Sequence, residues 1–143
     1  MKPDRLRAPK PEPRSKAAWR QSLGTKAHRR GHGAEWIAAM WLMLHGFQIL
    51  GFRMRTRMGE IDILARRGRV LAVIEVKQRA SLASALAALT PDQHERLLAA
   101  GRAVQGGRPG LAKLTLRIDL IALAPGCIPR HVPGKRLQEG RFP

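Results

Sequence analysis

The chain has a single cysteine, Cys127. No intrachain disulfide can form, and no zinc site can be built from thiolates. Its histidines, His28, His32, His45, His94 and His131, fall into no metal-ligand spacing such as HExxH. Long apolar runs are missing as well. The stretch from Trp36 to Leu44 is about half of the ~18 residues that a membrane span needs. The N-terminus lacks the apolar segment of a secretory leader. A reducing cytoplasm is therefore the expected setting, with no membrane partner.

Acid is the other scarcity. The chain holds 10 Asp and Glu against 27 Lys and Arg, a formal net charge of +17. Folding does not require such an excess; it fits a polyanionic partner, either nucleic acid or an anionic membrane surface, and nucleic acid is the one expected. The competing reading is an arginine-rich soluble protein whose charge serves solubility alone. Residues 1–30 carry ten of the cations and two acids, Asp4 and Glu12, with Pro3, Pro9, Pro11 and Pro13. A segment so polar and proline-rich cannot bury enough surface to order itself, so a disordered basic tail is expected there. Its net +8 leaves +9 on the remaining 113 residues, and the body of the protein is basic too.

What is present is one domain's worth of chain: 143 residues, 44% hydrophobic, enough for a single core. From Gly33, "GAEWIAAMWLMLHG" reads as a helix stopped by Gly46. Ile37, Met40, Trp41 and Leu44 form one apolar stripe, and Glu35 shares a second with Ala38, Ala39 and Leu42. Two apolar stripes predict a largely buried helix. Helical context assigns Trp36 and Trp41 to the core and leaves Trp19, in the tail, as the aromatic for base stacking. "FQILGFRMRT", "GEIDILAR" and "RVLAVIEVKQR" read as three strands. Thr90-Pro91 opens a second helix, with Thr as N-cap and Pro in the first turn, running to about Val104. "QGGRPG" is a loop and "AKLTLRIDLIALA" a fourth strand. After Pro125 irregular chain is expected. The order α-β-β-β-α-β predicts an α/β domain with a mixed sheet over residues 31–133, and an irregular tail over 134–143.

The hairpin between the second and third strands carries the chemistry. With "GR" or "RRGR" as its loop, Ala65 faces Ala72. Continuing the register sets Asp62 against Glu75 and Glu60 against Lys77. All four polar side chains then share one face, and Ile61, Ile63, Ile74 and Val76 share the other. Opposed Cβ atoms lie about 4.5–5.5 Å apart, where like charges destabilise a sheet. A shared proton, a nearby arginine or a divalent cation between Asp62 and Glu75 would each relieve the repulsion. Mg²⁺ or Mn²⁺ suits two such oxygen donors, and Lys77 would stand beside it to act on a water or a phosphate. The alternative is a plain ladder with a Glu60–Lys77 ion pair and the other two acids at a solvated edge. Arg53, Arg55 and Arg57 alternate along the first strand, as a phosphate-binding track or a solvated edge. Arg117 and Asp119 read as a structural ion pair, and His131 as a loop residue.

The acids at 62 and 75, followed by Val76 and Lys77, resemble the Asp…Glu-x-Lys signature of the restriction-endonuclease-like nucleases. The ordered blocks "AEWIAAMWLMLHGFQIL", "RTRMGEIDILARRG", "VIEVKQR", "LTPDQ" and "RIDLIAL" resemble the YraN-like family of bacterial proteins over about residues 31 to 133. The resemblance implies a restriction-endonuclease-like core. It also implies Mg²⁺ or Mn²⁺ held by Asp62, Glu75 and the carbonyl of Val76. Lys77 would then act on the attacking water, and Glu35 would face the same cleft as a further ligand or water-orienting group. Ile61 stands where the superfamily often has Pro. Gln93 stands where many family members have Lys, a position for phosphate or water contact. The stretch "PRHVPGKRLQEG" lacks the aromatic residue that the family leads one to expect soon after His131. The function implied is a metal-dependent nuclease acting on DNA or RNA phosphodiesters, with DNA expected before RNA as the partner. The rival is a nucleic-acid-binding module whose acidic cluster is vestigial or structural.

Overall fold

A computed structural model describes residues 33–134. The basic tail over 1–30, with Trp19, lies outside the described residues, as does the C-terminal segment beyond Gly134.

Helix α1 covers residues 33–44. It ends in a Schellman turn. Gly46 adopts φ 85, its N–H donates to Met43 O at 3.1 Å, and the N–H of Phe47 donates to Leu42 O at 3.0 Å. Glycine carries no Cβ to clash in that left-handed conformation. The carbonyl of His45, at the helix end, accepts from Arg67 Nη1 at 3.1 Å. The same guanidinium lies 4.6 Å over the Phe47 ring.

Three antiparallel strands follow: β1 (Gln48–Thr56), β2 (Gly59–Arg67) and β3 (Val70–Gln78). Gly68 and Arg69 close the β2–β3 hairpin, with φ 59 at Gly68. Glycine at the first of two central positions is what a type II′ turn takes. Ala65 faces Ala72 and the pairing runs as far as Ile63 opposite Ile74, the register read from the sequence.

The chain then forms a short helix α2 (Leu82–Leu86), capped by Ser81 Oγ on Ser84 N, and the long helix α3 (Pro91–Gly107). Thr90 caps α3 through a reciprocal box. Thr90 Oγ1 accepts from Gln93 N at 3.2 Å, and Gln93 Oε1 accepts from Thr90 N at 3.2 Å. The helix continues past Val104 to Gly107, so part of the expected "QGGRPG" loop is helical. A 3₁₀ turn at Pro109–Leu111 follows. β4 (Thr115–Leu123) then lies parallel to β3. The segment after Pro125 is not wholly irregular: β5 (Arg130–Val132) pairs antiparallel with β4. The mixed sheet has the order β1-β2-β3-β4-β5.

Both faces of the sheet are covered. Ala38, Ala39 and Leu42 of α1 pack on Ile63, Ile74 and Ile121. Leu97, Ala100 and Val104 of α3 pack on Leu64, Leu71, Val73 and Ile118. Gly101 permits this second contact, because a Cβ there would lie 2.7 Å from Leu116 Cδ1 and 2.9 Å from Val73 Cγ2. One expectation fails on α1. Ala34 and the stripe of Glu35, Ala38, Ala39 and Leu42 are buried, and Trp41 packs half-buried against the same core as expected, while Ile37, Met40 and Leu44 are exposed. Trp36 is also exposed and does not belong to the core. A helix lying on one sheet buries one stripe, and no second layer of described residues covers the other. No helix of the described residues is long and apolar enough to cross a membrane.

A candidate acidic site at the β2–β3 fork

Glu75 and Lys77 alternate onto the α3 face of β3, beside Val73. Lys77 Nζ stands 3.1 Å from Glu75 Oε1 and the lysine is only 8% exposed. The expected Glu60–Lys77 pair does not form. Glu60 lies opposite Arg55 of β1, and Lys77 turns to its own strand neighbour.

Asp62 occupies the point where β2 and β3 part. The paired register stops at Ile63 and Ile74. One step further, Asp62 Oδ2 accepts from Val76 N at 2.9 Å. A carboxylate thus stands in for the main-chain acceptor that β2 no longer offers. The two acids meet, as expected, but through a fork and not through a continued ladder. The fork also breaks the expected alternation. Ile63, Ile74 and Val76 lie on the α1 side, whereas Ile61 packs with the α3 cluster.

Burial, then the charge of Glu75, push the Asp62 carboxyl from 3.8 up to about 8, against the opposing Val76 N–H. The charge of Glu35 and a side-chain hydrogen bond with Glu75 add to the rise. Near neutral pH the Asp62 carboxyl therefore keeps its proton, hydrogen-bonded to Glu75.

Glu35 reaches this site from the buried stripe of α1, near enough for its charge to act on Asp62. Its two oxygens accept from Arg53 Nε at 3.1 and 3.0 Å. Arg53 has φ 47, a left-handed conformation that non-glycine residues seldom adopt. This local departure within β1 accompanies the turning of its guanidinium toward Glu35. Arg53 thus pairs with a buried acid. Arg55 is exposed on β1, and Arg57 is exposed in the β1–β2 turn.

On the α3 side a cavity of about 170 Å³ is lined by Gly59, Glu60, Glu75, Gln93, Arg96 and Leu97. Gln93 is thus beside Glu75, with its carbonyl spent on the capping box and its amide nitrogen remaining for a second contact. Asp62 is not on this wall; Glu75 connects the two. Arg96 is the residue the sequence reading missed. Its signal was its place one helical turn after Gln93.

Among the described residues no three His, Cys, Asp or Glu side chains come together as a ready metal cage. The available donors are one oxygen of Asp62, the Glu75 carboxylate and the Val76 carbonyl. A strand residue sends its N–H and C=O to the same edge, so that carbonyl faces the fork with the N–H that Asp62 accepts. This set fits Mg²⁺, which usually takes one or two carboxylates and keeps several waters.

A second polar cluster lies on the α1 face. Asp119, fully buried in β4, accepts from Arg117 Nε at 2.7 Å and Nη2 at 2.9 Å. Gly134 N donates to it at 2.9 Å, and His131 Nε2 lies 2.8 Å from Oδ2. Burial raises the Asp119 carboxyl, but the hydrogen bonds from His131, Arg117 and Gly134 outweigh it and hold it below 3.8. The expected Arg117–Asp119 ion pair is present. His131 is part of it, on strand β5 and not in a loop. The cluster fastens the last described strand to the sheet.

A model of the uncharacterised protein family UPF0102 matches residues 34–123. A UPF0102 protein of Caulobacter vibrioides is 56% identical over 117 residues, covering 82% of this chain and 94% of the relative. One from another Caulobacter strain is 52% identical over 115 residues, 80% of this chain and 83% of the relative. A UPF0102 protein of Rhizobium meliloti is 45% identical over 108 residues, 76% and 88% of the two chains.

Proposed function

The chain belongs to the uncharacterised protein family UPF0102, and on that premise we propose that it is a divalent-cation-dependent nuclease. Its substrate would be a nucleic-acid phosphodiester, of DNA before RNA. The observation that carries the reading is the pair Asp62–Glu75. Two acids are forced together at a strand fork, one of them pushed up to about 8, with a buried lysine 3.1 Å from the other. Structural needs alone do not call for that arrangement, since a buried like-charge pair costs stability. A carboxyl so perturbed, linked through Glu75 to a cavity, marks a candidate working site.

Asp62, Glu75 and the Val76 carbonyl would hold Mg²⁺ or Mn²⁺. When bound, such an ion supplies Lewis-acid polarisation of a phosphate and a lower pKa for a coordinated water. The residues of the chain do the rest. Lys77, held by Glu75, orients the attacking water or steadies charge developing on the phosphate. Arg96 and Gln93 line the cavity and would contact phosphate oxygens. Arg55 and Arg57 extend the basic surface for the backbone of the strand. Glu35, although paired with Arg53, still acts on Asp62 through its charge and so favours a cation there.

The binding-only reading also has an observation in its favour: Glu35 is engaged by Arg53 and is not free to complete a third carboxylate ligand. Lys77→Ala separates the two. It is expected to bind nucleic acid within a few-fold of wild type, because one of 27 cations is lost. Cleavage is expected to fall by about 10²–10⁴-fold, the usual contribution of a positioned proton-transfer group. The assay offers linear, nicked, branched and single-stranded DNA, and RNA, with Mg²⁺ or Mn²⁺. Wild type that binds these and cleaves none would establish the binding module. A Lys77→Ala protein as fast as wild type would remove this site from the chemistry.

A further inference from the structure

Trp36 is 60% exposed and Phe52 is 40% exposed. Their ring centroids lie 5.6 Å apart with an interplanar angle of 38°. Large aromatic side chains left open to water are informative where small polar ones are not. Their position adds to this. Trp36 directly follows Glu35 on α1, and Phe52 directly precedes Arg53 on β1. Glu35 and Arg53 are bonded to each other, and the charge of Glu35 acts on Asp62. The aromatic pair is thus one residue, on both elements, from the ion pair that borders the acidic site.

We propose that Trp36 and Phe52 form a stacking platform for an unpaired base, so that the nucleic acid handled at the acidic site is single-stranded or locally opened beside the scissile phosphate. This rests on the nucleic-acid reading above and names its substrate class. Base stacking on an aromatic face is tolerant of sequence and needs the base out of its duplex. The surroundings match that ligand in charge. From 33 to 58 the sole acid is Glu35, and it is buried and held by Arg53. Arg55 and Arg57 are exposed on the same strand and its turn, positioned for phosphates on either side of a stacked base. Exposed rings beside exposed arginines suit a nucleic-acid strand; the exposed acid nearest them is Glu60, opposite Arg55 on β2. The exposed Met40 and Leu44 extend the apolar surface along α1, so a protein partner is the competing occupant, and the experiment discriminates against it.

The full chain is titrated with a short oligothymidylate and with a duplex of equal length, in EDTA, so that binding is read without cleavage. Thermal midpoints check folding, which the exposure of Trp36 favours. Trp36→Ala is expected to weaken oligothymidylate binding by about tenfold or more, the effect of losing one stacked base. Duplex binding should change less than twofold. Trp36→Phe should retain most of the affinity. Trp36→Leu should behave like Trp36→Ala, since it restores apolar area without a π face. Equal oligothymidylate affinity in wild type and Trp36→Ala would overturn the proposal. Full affinity in Trp36→Leu would also overturn it, and would give the face to apolar contact of the kind a protein partner makes. Absence of nucleic-acid binding by wild type would remove it together with the nuclease. Binding through Trp36 without any metal-dependent cleavage would keep the platform and discard only the nuclease.

Discussion

Replacing Asp62 by Asn turns the strand fork into a stability measurement. An acid whose folded pKa lies above its unfolded one binds its proton more tightly in the folded chain. Its stabilisation is complete below the unfolded value and is lost as pH rises through the folded value. For Asp62 those limits are 3.8 and about 8. Each unit corresponds to about 1.36 kcal/mol, so the interval sets a ceiling of about 6 kcal/mol. Relaxation and water at the half-buried carboxyl reduce that, and about 2–3 kcal/mol is the working expectation. In a domain of roughly 100 residues this is a fall in Tm of about 10 °C or more between acid and alkaline buffer. Asn resembles the protonated acid. Its carbonyl can accept from Val76 N, and its amide can donate to Glu75. Wild type and Asp62→Asn should therefore melt alike below about pH 4 and diverge as pH rises, the variant melting higher by its full margin above about pH 8. Histidines titrate in both proteins, so the difference between the two curves isolates the fork. Adding Mg²⁺ or Mn²⁺ at the alkaline end should restore the wild type, with proton release in calorimetry, and leave the variant unchanged. Parallel melting curves across the range would refute the proton held on Asp62. Equal metal responses would refute the cation site.

Asp119→Asn is expected to destabilise by about 3 kcal/mol, because it leaves Arg117 without its buried counter-charge; a denaturant midpoint near neutral pH measures it. The Asp119 pKa is depressed, so its contribution is present above 3.8 and fades as pH falls through the lower folded value, narrowing the gap between wild type and variant in acid. Gly101→Ala should cost about 1–2 kcal/mol by urea denaturation, since overpacking of Leu116 and Val73 exceeds the helix-propensity gain of alanine. A more stable Gly101→Ala protein would show that α3 can move away from the sheet.

Sequence alone determined much of this protein, because much of it follows local rules. Alternation, a two-residue turn with Gly68 and the pairing of Ala65 with Ala72 define the hairpin. Thr90, Pro91 and Gln93 define the start of α3, and Gly46 the end of α1. These depend on neighbours a few residues apart, and so does the sharing of one strand face by Glu75 and Lys77. Tertiary structure decided what local pattern left equal. Both stripes of α1 are apolar, and only its seating on the sheet selected Glu35, Ala38, Ala39 and Leu42 for burial, leaving Trp36 in water. Arg53 looked like one of three alternating cations, until a left-handed residue within β1 brought it to Glu35. His131 and Gly134 carry no periodic signal toward Asp119; a buried charge had to be satisfied, and the short strand β5 brought the donors. Arg96 entered the cavity wall because α3 packs across β3. Asp62 met Val76 because β2 and β3 separate one step beyond Ile63 and Ile74. Each of these is a long-range pairing, set by which surfaces close on which, and short-range periodicity contains no term for it.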